Sequence, residues 1–176
     1  KEGRGSVVEW LQKSFNFAGL VHRLDFGTSG LMVCAKTADA AKTLTQAMQN
    51  GEIERTYWAV VLGRVATQKN SDIGTYDQDL DGQSATTHFR IREYFPNATL
   101  VEINLETGRK HQIRKHFANA GHPLLGDHLY GKGGAKLLFH RPALHAIRLS
   151  VMGDVFETQI PDDFNELLTR LKARRS

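Results

Sequence analysis

The chain contains a single cysteine, Cys34, in 176 residues. No disulfide framework can form within it, which suits a reducing compartment. No apolar run approaches the roughly 20 residues that span a bilayer. The opening residues, KEGRGSVVEW, lack the apolar core of a secretory signal. A cytoplasmic protein with no membrane partner is the expectation. Internal repeats and low-complexity segments are also missing. So are several catalytic signatures. YGKGGAK has neither the spacing nor the hydroxyl of a phosphate-binding loop. HRLD is not the kinase H-R-D loop, and GTSG is not the G-x-S-x-G nucleophile elbow. His111 and His116 are five apart with no glutamate between them, so they do not form a zinc-binding helix, and no metal is expected.

What is present is an ordinary globular composition, 40% hydrophobic and 24% charged. Its length suits one domain over residues 1–176. The net charge of +4 resides in the tail. Residues 170–176 carry Arg170, Lys172, Arg174 and Arg175 without an acid, so 23 basic residues less these four leaves 19, against 19 acidic ones. A nucleic-acid site would therefore need local clustering of cations.

Four helices are expected. SVVEWLQKSF opens on a capping box, Ser6 and Glu9, ahead of Val7, Val8, Leu11 and Phe15. TADAAKTLTQAMQNG is capped by Thr37, carries a stripe of Ala40, Leu44 and Met48, and stops at Gly51. RKHQIRKHFANAG puts Ile113, Phe117 and Ala120 on one side and ends at Gly121. PDDFNELLTRLKARR turns Phe164, Leu167, Leu168 and Leu171 inward. GLMVCAK, RTYWAVVLGRV, THFRIREYF, ATLVEINLETG, LHAIRLSV and VFETQI read as strands. Residues 66–85 read as a long loop or weak hairpin whose aspartates lack calcium-loop spacing. Helices and strands do not alternate strictly, so the class is α+β with a mixed, mainly antiparallel sheet.

Two segments concentrate chemistry. HRLDFGTSG sets Asp25 ahead of Gly27, Thr28, Ser29 and Gly30. It reads either as a polar turn or as a loop that aims a carboxylate. GRKHQIRKH carries Arg109, Lys110, Arg114 and Lys115 with two histidines and no acid. On a helix Lys110 and Arg114 share a face, with His111 and Lys115 beside it. Cations near a helix start oppose its dipole, which implies an anionic partner, either a phosphate or a carboxylate in the protein.

Taken in order, HRLDFGTSGLMV, ERTYWAVVLG, TLVEINLETGRKHQIRKHFANAGHPLLGDHLYG and LLFHRPALHAIRLSV resemble the RluA-type pseudouridine synthases over residues 19–170. The resemblance implies a central catalytic cleft flanked by helices and an RNA-modifying isomerase that needs no cofactor. It makes Asp25 the catalytic aspartate, Tyr57 the stacking tyrosine and Arg114 the cation beside the aspartate. Arg23, Arg109, Lys110, His111 and Lys115 would bind RNA, and Thr28, Ser29 and Gly30 would support the loop. Burial disfavours an ionised carboxylate and a cation within about 4–6 Å favours it, which gives Arg114 a task. The expected partner is structured RNA, ribosomal or transfer, bound by a monomer. The Lys-Pro segment and the small RNA-binding domain usual before HRLD do not appear in this sequence. Two other readings stand beside this one: a non-catalytic RNA-binding relative, and a hydrolase using Ser29 with a histidine.

Overall fold

The computed structural model describes residues 7–67, 71–131 and 139–173. The β-branched and aromatic run around Trp58 forms β4 (Ile53–Leu62), which lies inside the sheet. It pairs antiparallel with β7 (Ala98–Leu105) on one side and with β8 (Leu144–Val151) on the other. The sheet has seven strands, in the order β2-β8-β4-β7-β6-β5 with β9 also beside β8. Its remaining members are β2 (Ser29–Gly30), β5 (Ile73–Tyr76), β6 (Thr87–Phe95) and β9 (Asp154–Glu157). Among the described residues only the β2–β8 pair is parallel, so the expected mainly antiparallel sheet is present. β8 and β9 are joined by Met152–Gly153, both at positive φ (51° and 95°), the left-handed geometry that tight hairpins require.

Both faces of β4 are covered. Ala59 and Val61 pack with Ile113 and Phe117 of α3 (Gln112–Asn119). Val60 packs with Phe164, Leu167, Leu168 and Leu171 of α4 (Asp162–Ala173), the inward stripe expected for that helix. A third cluster joins α2 (Ala38–Gln49) to Ile53 and Leu149. Its fully buried helix member is Ala47, with Leu44 and Met48 packed beside it.

Several expectations change. GLMVCAK is not one strand. It breaks into β2 and β3 (Cys34–Ala35), and β3 leaves the sheet to pair with β1 (Gly19–Leu20). Within residues 66–85, β5 is a real edge strand paired to β6; residues 68–70 lie outside the described part. The third helix starts only at Gln112, so Lys110 precedes it and His111 caps it; Ala120 is exposed at its end. In α1 (Val7–Ser14) only Leu11 is buried, while Val7 is exposed, as is Phe15 just beyond the helix. The capping residue Ser6 and the tail arginines Arg174 and Arg175 fall outside the described residues. Among the described residues no helix is long and apolar enough to cross a membrane.

Candidate active site

Asp25 begins a tight turn in which the Thr28 amide donates to its carbonyl at 2.9 Å. Gly27 takes φ +84°, and a Cβ there would lie 2.9 Å from the Pro142 ring. The turn leads directly into β2, where a Cβ on Gly30 would sit 2.2 Å from the Ala146 carbonyl oxygen. Glycine is therefore required for the backbone to reach β8. Ser29 Oγ hydrogen-bonds His145 Nδ1 at 2.9 Å. That histidine is buried between the sheet and Phe164, so the pair fastens β2 to β8. The turn is further held by Arg141, whose Nη1 donates to the Gly27 carbonyl at 3.0 Å while Nε and Nη2 grip Asp163 of α4 at 2.7 and 2.8 Å.

The opposite wall is the approach to α3. Gln112 is 3% exposed and ties four groups together. Its Oε1 accepts from Thr107 Oγ1 and the Arg109 amide, and its Nε2 donates to the Thr86 carbonyl and Thr87 Oγ1, all at 2.8–3.0 Å. His111 adopts left-handed backbone geometry (φ 56°). One turn into the helix, Arg114 Nη1 lies 3.8 Å from Asp25 Oδ2, and His111 Nε2 lies 3.8 Å from Asp25 Oδ1.

Arg114 has a nearer partner. Its Nε and Nη2 donate to the two carboxylate oxygens of Asp127 at 2.7 and 2.8 Å. Asp127 is fully buried and also accepts the Leu129 and Tyr130 amides at 3.0 Å. Burial alone would raise the Asp127 carboxyl, but the guanidinium and these amides outweigh it and hold it below its ordinary value. Burial likewise opposes the charge on Arg114, yet Asp127 first and Asp25 after it raise the guanidinium above its ordinary value. Arg114 thus lies beside Asp25, as expected, and also bridges to a second carboxylate, Asp127. Its guanidinium also lies over the Tyr130 ring, 5.1 Å from the centroid, and the Tyr130 hydroxyl meets His111 Nδ1 at 2.9 Å. Burial pushes His111 below the ordinary histidine range, against the pull of Asp25 and with the help of Arg114 and the nearby lysines.

A cleft opens between the two walls. Arg23, Asp25, Thr28 and Tyr57 line it together with Arg109 and Lys110, over a floor of Leu24, Leu105, Ile113 and Leu144. Tyr57 is 5% exposed and is as much core as cleft wall. Burial raises its hydroxyl above the ordinary tyrosine value; Arg55 opposes this and Asp25 adds to it. The β4–β8 pairing shifts register between Thr56 and Tyr57, with Ile147 of β8 the extra residue. Ser29 and Gly30 support the turn from behind. Lys115 does not line the cleft; its ammonium pairs with Asp81 instead.

The residues missed from the sequence are Arg55, Gln112, Asp127, Arg141 and Asp163. Arg55 lines the cleft wall beside Tyr57. Asp127 stands in GDHLYG, inside a segment that was already informative, but nothing local marks it as the partner of a helix thirteen residues upstream. Among the described residues no group of three His, Cys, Asp or Glu side chains could hold a metal ion.

Residues 10–119 match the RNA pseudouridylate synthase family. Ribosomal large subunit pseudouridine synthase D of Haemophilus influenzae is 41% identical over 188 aligned residues, covering 89% of this chain and 56% of that protein. The protein of the same name from Yersinia pestis is 38% identical over 186 residues, with the same shares covered. The chain spans little more than half the length of these relatives. Among solved structures, human RNA pseudouridylate synthase domain containing 4 superimposes with a TM-score of 0.73 at 23% identity, over 88% of this chain and 76% of that one. At that identity the likeness is one of fold, and it is the fold that the sequence motifs led one to expect.

Proposed function

Since the chain belongs to the RNA pseudouridylate synthase family, we propose that it isomerises uridine to pseudouridine in RNA, with Asp25 as the carboxylate that meets the reacting nucleoside. The observation that carries this reading is the position of Asp25: on a braced turn, at the edge of a cleft, 3.8 Å from a guanidinium that a second, buried carboxylate holds in place.

The reaction breaks the N1–C1′ bond, turns the uracil and forms a C5–C1′ bond. N1 gains a proton and C5 loses one, so atoms and electrons balance without a co-reactant. The uridine leaves its stack to reach the cleft, at a cost of a few kcal/mol. Tyr57 and the apolar floor receive the base. Arg23, Arg109 and Lys110 at the rim take RNA phosphates, which makes affinity fall with salt. His111 contributes from beside Asp25. Arg114 sets a positive charge 3.8 Å from the Asp25 carboxylate, which favours one orientation of it toward the cleft. Lys115, outside the cleft and paired with the exposed Asp81, would reach RNA phosphate only by exchanging that partner.

The substrate we propose is large-subunit ribosomal RNA, bound by one copy of the chain in the cytoplasm; the names of the curated relatives favour ribosomal over transfer RNA. The test is tritium release from unmodified ribosomal RNA labelled at uridine C5. Wild-type protein should release tritium, and Asp25→Asn should release none while keeping its fold and RNA affinity. Release by Asp25→Asn at the wild-type rate would sink the assignment. Binding without release by the wild type would favour a non-catalytic relative.

A further inference from the structure

Phe26 follows Asp25 directly and is 84% exposed, more than any other large hydrophobic side chain among the described residues. Water contact is costly for a phenyl ring, and the turn that carries this one is tightly held. Phe26 occupies the corner of the Asp25–Thr28 turn, closed by the Thr28 amide. The next residue, Gly27, lies against Pro142 and has its carbonyl held by Arg141, which Asp163 holds in turn. The ring is therefore presented on a rigid support at little entropic cost.

Its surroundings identify the occupant. The same short segment supplies Arg23, exposed and at the cleft rim, and Arg109 and Lys110 rise from the facing wall. A bare ring on the same turn as the cleft-lining Asp25, in a cleft wall that also supplies cations, suits a polyanion with flat apolar faces better than a protein surface. Extruding one base from a strand leaves the face of its neighbour uncovered, and that neighbour is tethered to the flipped nucleotide one phosphate away. We propose that Phe26 is a stacking platform for the base adjacent to the nucleotide held at Asp25. It gives this site a second contact with bases, outside the cleft. The inference rests on the RNA-binding reading above and extends it.

The experiment is fluorescence-anisotropy binding of the full chain to two probes of equal length and charge: a single-stranded oligouridylate, and a chain of the same sugar-phosphates lacking bases. Base–aromatic stacking is sequence-tolerant, and its loss by alanine substitution corresponds to about 5- to 150-fold in affinity. Phe26→Ala should weaken oligouridylate binding within that range, leave the abasic probe unaffected and keep the wild-type salt slope. Phe26→Trp should restore oligouridylate binding. The thermal midpoint should not move, because the ring buries almost nothing. Equal binding of oligouridylate by Phe26→Ala and wild type would overturn the proposal, as would an equal loss on both probes. None of these arms requires turnover. A protein that binds through Phe26 but releases no tritium would refute the activity and leave the platform standing. Tritium release with no effect of Phe26→Ala on binding would do the reverse.

Discussion

Arg114 shows what a single residue does when two carboxylates compete for it. Asp127 accepts from Nε and Nη2 at hydrogen-bond length, and Asp25 stands 3.8 Å from the remaining nitrogen, Nη1, close enough to feel its charge without a hydrogen bond. The charge beside Asp25 is thus fixed in direction without being consumed by it, because Asp127 supplies the fork-to-fork geometry. Removing the Asp127 charge leaves a buried guanidinium with a distant partner. Breaking such a pair costs about 3–5 kcal/mol. Asp127→Asn is expected to lower denaturant stability on that scale, and at temperatures where it remains folded to reduce kcat while RNA affinity stays near wild type. Unchanged kcat would show that Asp127 serves folding alone. Tyr57 teaches a related lesson. At 5% exposure it holds up the core as well as lining the cleft, so truncation to alanine reports a cavity of about 3–5 kcal/mol as much as a lost platform.

At the scale of elements, the turn that carries Asp25 is a joint between three pieces of chain. β2 presses its glycine against β8, Ser29 bonds His145, and Arg141 ties the turn to the first residues of α4. Positioning therefore reaches the turn from a helix that contributes nothing to the cleft itself. Arg141→Lys keeps a positive charge but cannot bond the Gly27 carbonyl and both Asp163 oxygens in one plane. It should lower kcat with KM little changed, and Asp163→Asn should do the same more mildly. Double substitution should cost no more than Arg141→Lys alone, since both act through one contact. Additive losses would separate the two residues. Residue periodicity marked α4 correctly as a helix with an inward stripe. It could not mark Arg141 or Asp163, because their role depends on a neighbour more than one hundred residues away in the chain.

For the molecule as a whole, burial of histidine sets a pH dependence. His22 accepts the Val33 amide at Nε2, and burial, with Arg55 adding to it, lowers its pKa from 6.5 to about 4. A depressed value in the folded state means that the unfolded chain binds the proton more readily. Stability from this group is complete above pH 6.5 and declines as the pH falls toward 4. His111, Asp127 and Asp163 are shifted in the same direction and reinforce the loss in acid. Urea midpoints should fall steadily between pH 7 and pH 4.5, and His22→Gln, which can still accept the Val33 amide, should flatten that decline. A parallel profile in the variant would remove His22 from the account.

The sequence by itself determined most of the element types, the mainly antiparallel class, the family and the turn that carries Asp25. These depend on short-range periodicity, on turn chemistry around Gly27 and Gly30, and on ordered motifs, all of which are local in the chain. Tertiary structure alone decided the rest. It broke GLMVCAK into two strands, because β2 must reach β8 while Cys34–Ala35 pairs elsewhere. It started α3 at Gln112, where a buried amide ties down the preceding loop. It gave Lys115 to Asp81 and divided Arg114 between Asp25 and Asp127. The reason is the same in each case: the strength of a charge or hydrogen bond depends on distance and burial, and segments remote in sequence set both.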